Sequence, residues 1–163
     1  PEQMLDEMCA TLGGRAAEKV IFNQISTGAL SDLEKVTKQA RAMVTVYGLN
    51  EKVGNLTYYD SSGQNEYGFT KPYSEKTAEL IDEEISKIIE EQYQRAIHLL
   101  IEHKDKLTEL AKVLLDKEVI FKDNLQKIFG DRPFDKSKSE ALSAEKKLEE
   151  KESPTVEEED TVE

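Results

Sequence analysis

In the stretch "ISTGALSDLEKVTKQA", residues 25–40, the carboxylate of Asp32 stands at the start of a helix-forming segment, on the side that carries its apolar residues. At about 100° per residue, Asp32 projects within roughly 40° of Val36 and roughly 20° of Met43, at the edge of the buried stripe. A carboxylate in that place needs a partner, because burial without one costs on the order of several kcal/mol or forces protonation. Three partners are open: the free N–H groups of the first helical turn, a basic side chain, or a metal ion. On the residues alone, an Asp at a helix start is most simply a cap or a dipole partner.

The two histidines, in "HLLIEH", fail the spacing test for a zinc helix. His98 and His103 are five residues apart, about 140° around a helix, whereas two ligands on one face stand at i and i+4, about 40° apart. The inverted H-x-x-E-H arrangement misses by one residue. Both are expected at the surface or half-buried. No G-x-S-x-G elbow, Walker A loop or supported Cys-His pair occurs. The acidic groups Asp82, Glu83 and Glu84, and Glu90 and Glu91, read as the solvated side of a charged helix.

The elements that must position these side chains follow from apolar periodicity. Leu5, Met8, Cys9, Leu12, Ala16 and Val20 recur at helical spacing over residues 2–22, interrupted by Gly13 and Gly14. This predicts one helix, kinked if the glycines bend it, with the glycines suggesting close approach of another backbone or helix; the plainer alternative is a break between two short helices. Ser26, Thr27 and Gly28 are available to start the next helix, whose stripe is Leu33, Val36, Ala40, Met43, Val44 and Tyr47, with Gly48 at its end. Asn55–Tyr59 and Glu66–Thr70 fit a small β-hairpin or an irregular loop equally well. Ser74 is set to cap a long helix over residues 75–103, with Leu80, Ile81, Ile85, Ile88, Ile89, Ala96, Leu99 and Leu100 inward. A helix over 106–117 should fold back on it, and a short one over 123–129 should close at Gly130.

The composition is that of a mainly α, single-domain protein with a tail: 163 residues, 37% hydrophobic and 34% charged. No apolar run approaches the roughly 20 residues that span a bilayer. Half of the net charge of −12 lies in residues 137–163, where four Lys face ten acidic residues. That balance argues against a nucleic-acid partner, since phosphates bind basic surfaces. From 135 to 163 the Lys, Glu and Ser-rich sequence predicts a disordered acidic tail, a solubilising appendage rather than a docking segment. Cys9 is the only cysteine, so no internal disulfide forms and a reducing compartment is the plain inference. With Pro1 first and no signal-peptide pattern, the sequence reads as an excised fragment or a mature segment.

Taken together, "LDEMCATLGGRAAEKVIF", "ISTGALSDLEKVTKQARAMV", "YGLNEKVGNLTYYD", "KPYSEKTAELIDEEI" and "EVIFKDNLQKIFGDRPF" resemble, in order over about residues 2–134, the protease domain of the FtsH family of membrane-anchored, ATP-dependent zinc metalloproteases. The resemblance implies that residues 1–134 are the C-terminal part of that domain. In the family, zinc is held by two histidines of an H-E-x-x-H helix and by an aspartate after S-T-G-A, a position matched here by Asp32. The glutamate of H-E-x-x-H serves as general base toward the attacking water. This sequence contains no H-E-x-x-H. In the family that helix lies upstream, as do the transmembrane anchors and the module that binds ATP and Mg2+, so the chain alone is expected to be inert.

The resemblance further implies Zn2+ as cofactor, a homo-hexamer, and unfolded or membrane proteins as substrates. It places the parent at a bacterial inner membrane with the protease domain on the cytoplasmic side, or at the mitochondrial inner membrane. Thr27 and Gly28 would line the substrate path, since irregular backbone beside a protease metal often pairs with an extended peptide. Glu18 would be a positioning residue or an alternative acidic ligand, a solvated helix glutamate being the plainer reading. The competing function is a non-catalytic helical assembly module of a pseudoprotease, with Asp32 only a helix cap.

Overall fold

The computed structural model describes residues 1–59 and 72–131, and the chain divides into two compact units, Pro1–Lys104 and the residues from Asp105 onward. Among the described residues the first unit contains four helices: α1 Glu2–Thr11, α2 Gly13–Phe22, α3 Leu30–Thr45 and α4 Glu75–Glu102. A single 3-10 turn, Thr27–Ala29, leads into α3. Among the described residues there is no strand. Asn55–Tyr59 is therefore irregular chain, with Tyr58 N–H donating to Thr45 O at 2.7 Å, so that Thr45 rather than a neighbouring strand satisfies it. The second half of the expected hairpin, 66–70, and the expected acidic tail, 135–163, lie outside the described residues.

The first 22 residues are two helices rather than one. They meet at Leu12, whose backbone (φ −76, ψ −5) sits at the edge of helical space where two glycines weaken the helix. A Cβ added at Gly13 or Gly14 would meet nothing within 4 Å, so the expected close approach is not made by any described residue. Leu12 itself is 1% exposed and packs inward.

α4 is the spine of this unit, with α1, α2 and α3 all laid against it. Met8 and Leu12, then Val36, Ala40, Met43 and Val44, meet Ile81 and Ile85 in the main core, closed by Val53 from the loop after α3. Ala16 on α2 and Ala96 on α4 form a second cluster with Cys9, where small side chains let the two helices come close. Ser74 caps α4 as expected, its hydroxyl accepting from Thr77 N–H at 3.3 Å. The end of α3 is closed by Gly48 at φ +61, a left-handed turn that lets Leu49 N–H reach Met43 O at 3.0 Å.

One acidic residue departs from the expected solvated face. Glu84 is 5% exposed, because positions 81, 84, 85 and 88 share the inward side of α4. Its carboxylate accepts from Asn50 Nδ2 and pairs with Lys52 Nζ, tying the loop after α3 to the spine.

The second unit contains α5 Lys104–Lys117, from Asp105 onward, and α6 Lys122–Phe129. No residue of α5 is buried, and Leu114 and Leu115 are exposed. Within the unit, Lys106 Nζ stands 5.9 Å from the Phe129 ring centre, and Gly130 (φ +83) ends α6 as expected.

Candidate functional site

Asp32 is the third residue of α3 and lies half-buried, one helical turn before the fully buried Val36. The residue that caps the α3 N-terminus is Ala29, which offers no side-chain acceptor. Side-chain capping is done upstream by Ser26, whose Oγ accepts from Gly28 N–H at 3.2 Å. Among the described residues, Asp32 makes neither a side-chain hydrogen bond nor an ion pair. Of the three partners open to it, the cap and the basic side chain thus go unused, and only the field of the first turn acts on it.

The turn before α3 is held from α2. Glu18 Oε2 accepts from Ser26 N–H at 2.9 Å, and Glu18 Oε1 accepts from the Ser26 hydroxyl at 2.7 Å. These two bonds, the backbone one first, hold the Glu18 carboxyl below its ordinary pKa, with nearby Arg15 adding in the same direction against partial desolvation. Glu18 is thus not a simple solvated glutamate, since each of its oxygens accepts a bond from Ser26. At the other end of the connection Asn23 adopts the left-handed conformation (φ 50), and its side chain accepts from Lys19 Nζ at 2.9 Å.

Thr27 and Gly28 are exposed, and Thr27 lines an open cleft of about 470 Å³ together with Arg15, Ile25, Ser26, Ala29, Leu30 and Leu33. Its walls combine apolar side chains with one guanidinium and exposed backbone, a surface suited to an extended peptide. Gly28 matters sterically: a Cβ there would lie 3.3 Å from Ser26 Oγ, pressing on the hydroxyl that caps the turn. His98 and His103 are both exposed, and His98 Nδ1 lies 2.7 Å from Gln94 O.

The sequence reading placed Asp32, Thr27, Gly28 and Glu18 in one neighbourhood, and the geometry ties Glu18 to the turn that contains Thr27 and Gly28 and precedes Asp32. What it missed is Ser26 as the bond partner of Glu18, and Arg15 as the cation of the cleft. The only available signal for the first was a hydroxyl residue opening S-T-G, which reads as a cap; its acceptor eight residues upstream has no local signature.

A family model for peptidase family M41 matches residues 1–128. The chain belongs to peptidase family M41. Its curated relatives agree. The ATP-dependent zinc metalloprotease FtsH of Parabacteroides distasonis is 56% identical over 146 residues, which make up 90% of this chain and 21% of the relative. The mitochondrial ATP-dependent zinc metalloprotease FTSH 3 of Arabidopsis thaliana is 51% identical over 82% of this chain and 16% of its own length. The mitochondrial inner membrane m-AAA protease component AFG3L2 of Mus musculus is 45% identical over the same shares. This M41 chain thus spans about a fifth or less of the relatives it matches.

The residues present fit a metal in part. A half-buried carboxylate without a partner, on a helix end, is the kind of hard anionic donor that completes a zinc site with imidazoles. No group of three His, Cys, Asp or Glu side chains among the described residues could hold a metal ion. Asp32 can therefore act only as one ligand beside others from outside them.

Proposed function

We propose that this M41 chain is the C-terminal part of the peptidase domain of a membrane-anchored, ATP-dependent zinc metalloendopeptidase that degrades unfolded and membrane proteins. Residues 1–134 belong to that domain, with 135–163 an appended charged tail. Asp32 supplies the aspartate ligand to Zn2+. Zinc, when bound, provides the Lewis acid of peptide hydrolysis. The chain's own contribution is to hold an anionic oxygen at a fixed place on the first turn of α3 and to present Thr27 and Gly28 beside it. An extended substrate would run along that exposed backbone, with the apolar cleft taking side chains.

The other ligands and the general base would come from an H-E-x-x-H helix upstream, and ATP with Mg2+ would bind a separate module. A homo-hexameric ring is the assembly this reading carries. Its place is a bacterial inner membrane with the protease domain on the cytoplasmic side, in keeping with the identity to bacterial FtsH; the mitochondrial inner membrane, named for the mouse relative, is the alternative. No helix among the described residues is long and apolar enough to cross a membrane.

The observation that carries the reading is the half-buried carboxylate of Asp32, without a hydrogen-bond or ion-pair partner among the described residues, within the segment matched by the family. The deciding experiment is zinc content per protomer in the full-length protein, parent against Asp32→Asn. Near one zinc in the parent and a marked loss in the variant is expected. Equal zinc in both removes Asp32 from the site, and no zinc in a folded parent leaves a pseudoprotease.

A further inference from the structure

We propose that Glu18 is a positioning residue rather than a metal ligand: through Ser26 it fixes the turn that presents Thr27 and Gly28 and sets the start of the helix carrying Asp32. The proposal rests on the zinc reading of Asp32 and adds to it the part of the chain that holds that aspartate in place.

The donor count comes first. Glu18 has one oxygen on the Ser26 N–H (2.9 Å) and the other on the Ser26 hydroxyl (2.7 Å). The hydroxyl has a single proton, which it gives to Glu18, and it uses a lone pair to accept Gly28 N–H at 3.2 Å. The three bonds form one directional relay from α2 through Ser26 to Gly28. Each carboxylate oxygen accepts one bond inside the chain, so Glu18 has a place in the turn that does not depend on a metal.

Packing shows why such a relay is needed. Residues 21–28 are all exposed, and the first buried anchor after Ala16 along this connection is Ala29. The connection's apolar side chains Ile21, Phe22 and Ile25 are all exposed, so no buried side chain fixes it and its conformation depends on polar contacts. Glu18 supplies the charged one, and hydrogen bonds to an ionised acceptor are roughly twice as strong as neutral ones. Gly28 is consistent with this arrangement, since a Cβ there would crowd the Ser26 hydroxyl at 3.3 Å. Asp32, having no partner of its own, takes its position from the helix start that this relay fixes.

The test uses the full-length protein with Glu18→Ala, Glu18→Gln, Ser26→Ala and Asp32→Asn. The readouts are zinc per protomer at saturation, zinc affinity by chelator competition, and amide exchange over residues 23–30. Glu18→Ala should keep near one zinc at saturation, bind it about 10–100-fold more weakly, and lose protection at residues 26 and 28. Glu18→Gln, whose amide oxygen still accepts from Ser26 N–H, should recover most of the protection, which separates a lost contact from a failure to fold. Ser26→Ala should weaken binding in the same direction by less.

Loss of zinc at saturation in Glu18→Ala, matching Asp32→Asn, would overturn the proposal and make Glu18 a ligand. Unchanged affinity and protection in Glu18→Ala would overturn it as well. Absence of zinc from the parent would instead sink the reading of Asp32, and unchanged exchange in Glu18→Ala would then remove the relay independently.

Discussion

Glu84 on α4 accepts a hydrogen bond from Asn50 Nδ2 at 2.8 Å while pairing with Lys52, although Asn50 and Lys52 lie more than thirty residues away in the chain. Asn50 in turn uses its Oδ1 to accept from the N–H groups of Lys52 and Val53, each at 3.0 Å. One buried carboxylate therefore orders the loop that delivers Val53 to the core. Replacing Glu84 by Ala leaves Asn50 without its acceptor and should destabilise the chain by about 1–2 kcal/mol, the lower part of the range for charged hydrogen bonds because Lys52 remains half in water. Glu84→Gln, which keeps an acceptor, should lose less. Chemical denaturation of the 163-residue chain checks both.

The same carboxylate sets a pH dependence. Bonds from Asn50 and then Lys52 hold the Glu84 pKa below its unfolded value of 4.5, and Lys35 does the same for Glu7. A group whose folded pKa is depressed stabilises fully above the unfolded value and loses that contribution as pH falls through the folded one. Stability should therefore decline below about pH 4.5, and the decline should be shallower in Glu84→Gln. Lys52, raised above 10.5 chiefly by its hydrogen bond to Glu84, contributes with the opposite sign, fully below pH 10.5 and decreasingly above it. Urea titrations at a series of pH values would reveal a shallower slope in the variant, the remainder coming from carboxyls such as Glu7, if the assignment is right.

Gly28→Val, in the full-length protein, should reduce peptide turnover by about tenfold or more while leaving zinc content unchanged, because it disturbs positioning rather than ligation. The branched Cβ would press on Ser26 Oγ and narrow the exposed backbone beside the cleft. Unchanged turnover would remove Gly28 from the substrate path.

Glu118 follows α5 with φ +59, a left-handed conformation that costs a residue with a Cβ. Glu118→Gly should stabilise the second unit by about 0.5–1 kcal/mol, less the added freedom of glycine in the unfolded chain. Hydrogen exchange over residues 114–122, slower in the variant, is the measurement that checks it.

Much of this architecture was legible because period-3.6 stripes translate directly into burial. Val36, Ala40, Met43 and Val44 were expected inward and are all at or below 4% exposure. Polar positions were less legible. Glu84 sits among charges in the sequence, and only the loop after α3, distant in the chain, supplies the donors that let it be buried. The break at Leu12 depends on how two glycines are resolved between kink and interruption, a difference of backbone angle that spacing does not encode. Leu114 and Leu115 show the reverse case, since a clean apolar stripe states that a helix has something to bury but not against what. At the site, the inward side of Asp32 was readable from phase alone; its lack of a partner required the positions of every neighbouring donor.

That lack of a partner makes a prediction about stability as well as ligation. A residue retained for folding makes contacts that its removal forfeits, as Glu84 does. Among the described residues Asp32 makes no side-chain hydrogen bond or ion pair, and what it gains from the α3 dipole, about 0.3–1 kcal/mol, is offset by the cost of half-burying its charge. Asp32→Asn should therefore change the unfolding free energy of the zinc-free chain by less than about 0.5 kcal/mol. The same substitution should remove most of the extra stability that zinc confers on the full-length protein, since loss of a ligand removes the metal itself and not only part of its affinity. A thermal shift with and without chelator, in both backgrounds, separates the two effects: destabilisation of Asp32→Asn in the zinc-free chain by as much as Glu84→Ala would return Asp32 to a structural role and leave the metal without its aspartate.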